Sequence, residues 1–336
     1  MLRYILTRLA LTVPMLLVLL TVVFVILRVL PGDPCLALLG GRNVTLETLA
    51  RCRAQLGLDR PLLVQYLDYL GDVARLDFGT SVRTGLPVTQ ELLLRFPATL
   101  ELAVFGMLAA TAIGVGTGLV AAVRRDRPAD HLVRLFNIAA FAMPVFWIGL
   151  VLLMLFAVRW RVLPAGGRLD PVAAAFFEPI THLYTVDTLL RGDLRLFLSA
   201  LRHLVLPTLT LGLVVSGFIG RMTRTSMLEV LEREYVTVAR AKGLPEPVVV
   251  RHHALRNALI PIVTVVGLQF ALLMAGAILT ETVYSWPGVA RYLLEAISSR
   301  DFAAIQGAVV FIALFISAVN LAVDVLYARV DPRIRF

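Results

Sequence analysis

The chain reads as an all-α polytopic membrane protein with six transmembrane helices, and three observations carry that reading. Of its 336 residues, 59% are hydrophobic and 16% charged, against roughly 45 to 50% apolar and about 25% charged in soluble domains. A mean hydropathy of +0.84 is more apolar surface than one aqueous core can hide, so lipid is the solvent for much of the chain. Six apolar runs also reach, or nearly reach, the length of about 20 residues that crosses ~30 Å of hydrocarbon at 1.5 Å per residue.

The first run, Leu9 to Leu27, follows Arg3 and Arg8 as a secretory signal would. It outruns a signal core of about 7 to 15 residues. Leu30-Pro31-Gly32-Asp33-Pro34 stands where a cleavage site would, so the run is expected to remain as an anchor over residues 1–30. Residues 31–97 follow as a large polar loop with 7 basic and 7 acidic residues, expected to fold as a small helical cap. The core, 98–328, holds Leu102 to Val123, Leu135 to Val158, Leu204 to Gly220, Leu259 to Thr280 and Ala303 to Val323. The run from Leu204 is the weakest, being short and carrying Pro207, Gly212, Gly217 and Gly220, although His203 and Arg221 bound it; five spans is the competing count. Residues 329–336 make a short tail.

Orientation follows from Lys and Arg density. Residues 1–9, 124–134, 221–258 and 329–336 carry 16 basic residues over 66 positions, and the alternate loops carry 15 over 133. The denser set belongs in the cytoplasm, so both termini and the 221–258 loop are inside. The net charge of +9 then describes inner loops facing anionic lipid rather than nucleic acid. Lys242 is the only lysine, which fits a GC-rich genome. Cys35 and Cys52 share the first outside loop, where they are either a disulfide or two unrelated thiols. The Asn43-Val44-Thr45 sequon is a weak pattern.

Enzyme readings have little support. There is no phosphate loop around Lys242, so the chain does not hydrolyse ATP by itself, and no metal-ligand spacing; His252 and His253 are adjacent and diverge on a helix. Arg28, Arg134 and Asp324 lie near span ends, and none of the six runs has a charge at mid-depth. That speaks against an ion-coupled secondary transporter, which needs buried carboxylates for proton or sodium binding; a stand-alone secondary transporter or channel is the alternative from another class. Asn137, Gln269, Gln306 and Asn320 remain as milder polar groups, either translocation-path ligands or interhelical hydrogen-bonding groups.

The stretch Arg221 to Ala258 is the largest inner block. Met222, Met227, Leu228, Leu231, Val238 and Ala241 fall on one face at helical spacing, predicting a helix extended from the fourth span. Gly243-Leu244-Pro245 breaks it, with Gly243 suited to a left-handed cap. Pro245 suits the first turn of a second helix to about Arg256.

Glu234-Tyr235-Val236-Thr237-Val238-Ala239-Arg240-Ala241-Lys242-Gly243-Leu244, then His253-Ala254-Leu255-Arg256-Asn257-Ala258-Leu259-Ile260-Pro261, resembles the EAA loop of binding-protein-dependent ABC importer permeases, in the form of the dipeptide and oligopeptide branch. Further matching blocks run in order: Leu56-Gly57-Leu58-Asp59, Asp77-Phe78-Gly79-Thr80-Ser81, Ala98-Thr99-Leu100-Glu101-Leu102, Arg221-Met222-Thr223-Arg224, Glu281-Thr282-Val283-Tyr284-Ser285-Trp286-Pro287-Gly288 and Asp331-Pro332-Arg333-Ile334-Arg335. Thr237 and Arg256 stand where the general pattern has Glu and Pro, departures the peptide branch shares.

The resemblance implies a type I ABC importer permease fold in a bacterial inner membrane. It implies a second homologous permease, two cytoplasmic ATPase subunits that bind the ATP and Mg, a periplasmic or lipid-anchored substrate-binding protein, and no cofactor in this chain. Ala239, Arg240, Ala241, Lys242, Gly243, Leu244, Arg251 and Arg256 would couple to the ATPase. Glu281, Trp286, Pro287 and Gly288 would form an outer gate, although an interfacial anchor explains Trp286 equally well. Dipeptides or oligopeptides are the implied cargo, with nickel chelates, glutathione or antimicrobial peptides as alternatives on the same scaffold.

Overall fold

The computed structural model describes residues 2–29, 35, 45–55 and 57–330, so the Leu30 to Pro34 motif, Asn43, Leu56 and the ending Asp331 to Arg335 lie outside the described residues. Among the described residues the chain is helical apart from one isolated antiparallel bridge, Thr80 to Pro87. The helices are α1 (Leu2–Val29), α2 (Leu46–Gln55), α3 (Leu62–Ala74), α4 (Val88–Val123), α5 (Pro128–Ala142), α6 (Val145–Leu152), α7 (Pro171–Phe176), α8 (Tyr184–Leu190) and α9 (Leu194–Leu231). They continue with α10 (Glu234–Ala241), α11 (Glu246–Val248), α12 (Arg256–Gly276), α13 (Ile278–Val283), α14 (Val289–Ser298) and α15 (Phe302–Val330). Wider π-helical turns, Leu153–Arg159 and Val249–Leu255, prolong α6 and join α11 to α12.

All six apolar runs fall on helices. α4, α9, the continuous Glu246–Met274 and Phe302–Val323 are each long and apolar enough to cross a membrane, and Ala10–Ile26 is a shorter apolar stretch of α1. The expected straight span from Leu135 to Val158 is corrected: α5 and Val145–Arg159 meet at 106°. Pro144 has no N–H to continue the ladder and forces Met143 into an extended conformation (φ −76°, ψ 137°), which ends α5 there.

The chain forms two compact units, Met1–Pro97 with Pro287–Leu321, and Ala98–Trp286 with Ala322–Phe336. In the first, α3 docks on α1 through aromatic contacts of Phe24 with Tyr66 (5.3 Å) and Tyr69 (5.7 Å). Cys35 and Cys52 are joined by a disulfide, with Cα atoms 5.8 Å apart. Two buried carboxylates organise the polar segment before α4. Asp301 accepts from the Ser81 hydroxyl (2.6 Å) and caps α15 at the Ala304 N–H (3.1 Å). Glu91 accepts from the hydroxyls of Tyr292 (2.8 Å) and Thr84 (3.0 Å).

The second unit is built around α9. The run that looked weakest in sequence is the middle of a helix of 38 residues, and Pro207 sits inside it without ending it. Its glycines explain the weakness: they are contact points and not breaks. A Cβ at Gly212 would lie 2.9 Å from Ala109 Cβ, one at Gly217 2.4 Å from the Asn137 carbonyl oxygen, and one at Gly220 2.6 Å from the Asn137 amide. From α4, a Cβ at Gly114 would meet Ile219 at 2.7 Å and one at Gly118 the Gly220 carbonyl at 2.5 Å. Small residues admit this backbone approach, from which membrane helices gain dispersion energy where lipid removes the hydrophobic drive between them.

Gly217→Ala is therefore expected to lower the thermal stability of the purified protein, by ~1 to 3 kcal/mol if it behaves as ordinary overpacking. Gly116→Ala, with nothing within 4 Å of the new Cβ, is expected to leave it unchanged; a melt of both variants by tryptophan fluorescence in one detergent checks the difference.

Candidate functional site

The 221–258 loop begins as the end of α9. Its helix stops at Leu231, Arg233 is extended (φ −75°, ψ 145°), and α10 starts afresh at Glu234. Four residues, Lys242 to Pro245, then turn the chain. Gly243 has φ +77°, the left-handed conformation that glycine adopts without the Cβ penalty. Pro245 is the residue before α11 and not its first residue, one place earlier than its sequence signal suggests. The helix resumes at Glu246 and runs without interruption into α12.

Two expectations are corrected here. One unbroken helix to Ala241 does not form, because Arg233 restarts the register. Val236 and Ala239 consequently face inward, packing with Val249, Val230 and Leu231, while Val238 is 51% exposed. Nor is the second helix a separate piece lying before the fifth span. Ala254 and Ala258, on either side of the join, pack together with Met227 and Ala122, so the loop is rigidly continuous with α12. Asn257 donates from Nδ2 to the Tyr235 hydroxyl (2.9 Å), closing α10 onto the same junction.

Of the residues singled out by sequence, Ala239 is buried. Ala241, Lys242, Gly243, Leu244, Arg251 and Arg256 are exposed. Arg240 is engaged internally: its Nε and Nη2 donate to the two carboxylate oxygens of Glu246 at 3.1 and 2.7 Å. The Arg240 guanidinium holds the Glu246 carboxyl below its ordinary range. This fork spans the Gly243 turn and ties α10 to α11. The outward surface is then Tyr235, Val238, Leu244 and Val248, all at least 38% exposed, edged by Lys242, Arg251 and Arg256.

Sequence reasoning missed the pair that roots this loop. Asp130, fully buried, accepts from Arg224 Nε and Nη2, both at 2.8 Å, and from the Asp126 N–H at 3.0 Å. A second ion pair, Arg125 to Glu232 at 2.8 Å, lies beside it. The Asp130 to Arg134 spacing hinted at a local pair (3.6 Å); the partner 94 residues away left no signal in the sequence.

The proposed gate residues divide between the two units. Glu281 is fully buried and accepts from the Thr99 hydroxyl at 2.6 Å, and Trp286 is fully buried with its indole N–H donating to the Ala98 carbonyl at 2.8 Å. Trp286 is a core side chain of its unit, with no face free to anchor at an interface. In the other unit Pro287 is exposed and Gly288 precedes α14. Near Trp286 lies Arg168, which no sequence signal pointed to; its Nη2 donates to Glu101 (2.7 Å) and to the His182 carbonyl (2.8 Å), and its guanidinium lies over the Tyr184 ring. Of the path candidates, Asn137 is enclosed against Gly217 and Gly220 and accepts from the Thr117 hydroxyl at 3.4 Å, a helix-packing role. Gln269 and Asn320 are half-buried on α12 and α15. Among the described residues no group of three or more His, Cys, Asp or Glu is placed to hold a metal.

Comparison with known proteins gives one consistent result. The family described as binding-protein-dependent transport system inner membrane component matches residues 114–336, and its N-terminal counterpart matches residues 1–103. The dipeptide transport system permease protein DppB of Escherichia coli is 44% identical over 100% of this chain and 99% of its own. The di/tripeptide transport system permease protein DppB of Pseudomonas aeruginosa is 45% identical, over 100% and 99%. The glutathione transport system permease protein GsiC of Salmonella typhimurium is 38% identical over the whole of both chains. Among solved structures, an inward-facing form of the methionine ABC transporter MetNI superposes with a TM-score of 0.54 at 15% identity, over 71% of this chain and 96% of that one. That likeness speaks to the fold alone.

Asp130→Asn is expected to destabilise the purified protein by ~1 to 3 kcal/mol, less than a fully buried pair because Arg224 keeps 20% of its side-chain exposure. Arg224→Lys should lose part of the same stabilisation, since an ammonium keeps the charge but cannot reproduce the two-pronged contact; thermal melts of the two variants measure both effects.

Proposed function

The chain belongs to the binding-protein-dependent transport inner membrane components, and from that premise we propose that it forms, with a second homologous permease, the membrane path of an ATP-driven importer of dipeptides and short oligopeptides. The observation that carries the substrate class is full-length identity of 44 to 45% to permeases named for di- and tripeptides. Glutathione, a tripeptide, is a second reading, favoured by the 38% identity to GsiC.

In this reading the 221–258 loop and both termini are cytoplasmic, and two ATPase subunits supply the energy. The surface of Tyr235, Val238, Leu244 and Val248 supplies apolar contact for the ATPase, while Lys242, Arg251 and Arg256 steer the encounter. Movement of the docked α10 would pass to α9 across the break at Arg233 and, through the Arg240 to Glu246 fork, to the continuous helix of α11 and α12. Such levers shift the cavity between inward-facing and outward-facing arrangements as the ATPases close and open. The chain itself performs no catalysis.

Proteoliposomes test the proposal. Reconstituted with its co-encoded permease, ATPases and binding protein, the chain should support ATP-dependent uptake of a labelled dipeptide, and the chain alone should support none; uptake by the chain alone would overturn it. Gly243→Val places a β-branched residue at φ +77°, which side chains of that shape avoid. It should reduce peptide taken up per ATP hydrolysed by about tenfold, within the range of ordinary coupling free energies, without reducing membrane insertion. Orientation is checked by Lys242→Cys, expected to react with an impermeant maleimide in inside-out vesicles and not in intact cells.

A further inference from the structure

Between α5 and α9 lies a pocket of about 120 Å³, lined by Arg134, Asn137, Ile138, Gly217, Arg221 and Arg224 among others. It is smaller than the roughly 300 to 1,000 Å³ of a pocket that encloses a drug-sized ligand, and three guanidinium groups border it. The one buried carboxylate beside them, Asp130, is occupied by both prongs of Arg224 and by the Asp126 N–H. Arg134 lies 3.6 Å from that same carboxylate and also contacts His131. The site keeps a positive excess.

Arg221 is held in a particular way. Its guanidinium carbon lies 5.3 Å from the Phe141 ring centroid and 5.5 Å from that of Phe218, and among the described residues no carboxylate comes within ion-pair distance of it. Two aromatic faces orient the planar fork without neutralising it. Immediately around the pocket, Leu135, Ile138 and Phe141 are 64%, 61% and 51% exposed, an apolar surface on the same helix. Arg134 and Arg221 stand at the junction of the apolar runs with the 124–134 and 221–258 loops, which the orientation proposed above puts on the cytoplasmic side.

We propose that this pocket binds the phosphodiester headgroup of an anionic phospholipid of the inner leaflet, with Arg134 and Arg221 as its ligands and Leu135, Ile138 and Phe141 against the acyl chains. Guanidinium forks match phosphate oxygens in geometry as well as charge, and basic pockets between spanning helices on the cytoplasmic side suit lipid headgroups. The placement at the inner leaflet rests on the proposed orientation; the existence of the headgroup site does not.

The test uses the assembled transporter in detergent, incubated separately with phosphatidylglycerol, with phosphatidylcholine and with inorganic phosphate, and examined by native mass spectrometry. The wild type should retain phosphatidylglycerol in preference to phosphatidylcholine. Arg134→Gln/Arg221→Gln should lower that retention by about fivefold or more per arginine, the fold-change matching the usual contribution of one basic residue near an anionic leaflet. Should the double variant fail to assemble, Arg221→Lys keeps the charge but loses the planar fork between the two rings, and it should retain less phosphatidylglycerol than wild type. Wild-type retention in whichever of these variants assembles overturns the proposal, as does inorganic phosphate displacing the lipid and protecting the complex equally, which would make the ligand a free phosphate. If Lys242→Cys is labelled from outside while the arginine variants still lose lipid, it is the orientation and not the site that fails.

Discussion

At Gly217 a Cβ would lie 2.4 Å from the Asn137 carbonyl oxygen, and at Gly118 another would lie 2.5 Å from that of Gly220. The helices of the larger unit therefore meet backbone against backbone, with α9 gripped between α4 and α5. In a lipid solvent burying a leucine between helices gains little over leaving it in the tails, so the contact depends on dispersion over closely matched surfaces. That requirement puts glycine, alanine and the small Asn137 at the crossing points. It also leaves Leu135, Ile138 and Leu272 exposed by 64, 61 and 66%, as the lipid-facing side of a membrane bundle should be.

Buried ion pairs lie at the ends of this packing, where they tie loops to helices. Glu101 takes Arg168 (2.7 Å) together with the N–H and hydroxyl of Thr185 (2.8 and 2.6 Å), fastening the 159–193 connection to α4. At the other end of α4, Asp130 and Arg224 fasten the short 124–127 turn to α9. Glu101 and Asp130 each have their charge compensated by an arginine and several lone pairs filled, the condition under which such a group is tolerated away from water. The spans themselves are left free of charge at mid-depth. The unit thus has an apolar, closely packed middle between two polar fastenings.

How much of this was legible in the sequence follows from the range of each interaction. Apolar length placed the six runs on helices, four of which are long and apolar enough to cross a membrane, and Gly243 marked the turn, because both are local properties of consecutive residues. Pro144 was visible too, but its effect was not: a proline can bend a span or sit within one, as Pro207 does in α9, and the outcome depends on what packs alongside. The register of α10 failed for a related reason. Helical periodicity was extended across Glu232 and Arg233, and one extended residue there rotated Val238 out and Val236 in. Pairings such as Asp130 with Arg224 join residues far apart in the chain and carry no spacing to recognise. The 221–258 loop was legible in the sequence as a polar block and by resemblance, and its internal fork only by coordinates.

That fork changes what the loop offers a partner. With Arg240 spent on Glu246, the positive charge left at the turn is that of Lys242, Arg251 and Arg256, and it surrounds an apolar centre of Leu244, Val238 and Val248. Apolar contact holds a docked helix, whereas rim charges mainly govern how fast it finds its groove. A lever needs a second property, stiffness between the point of contact and the span. The unbroken run from Glu246 into α12, the Ala254 and Ala258 contacts with Met227, and the Asp130 anchor on α9 provide it on both sides of the turn. The backbone leaves the helical conformation at Arg233 and again at the Gly243 turn, one on either side of α10. In the proposed importer a pull on α10 would be divided between two stiff helices, α9 and α12, at two defined points.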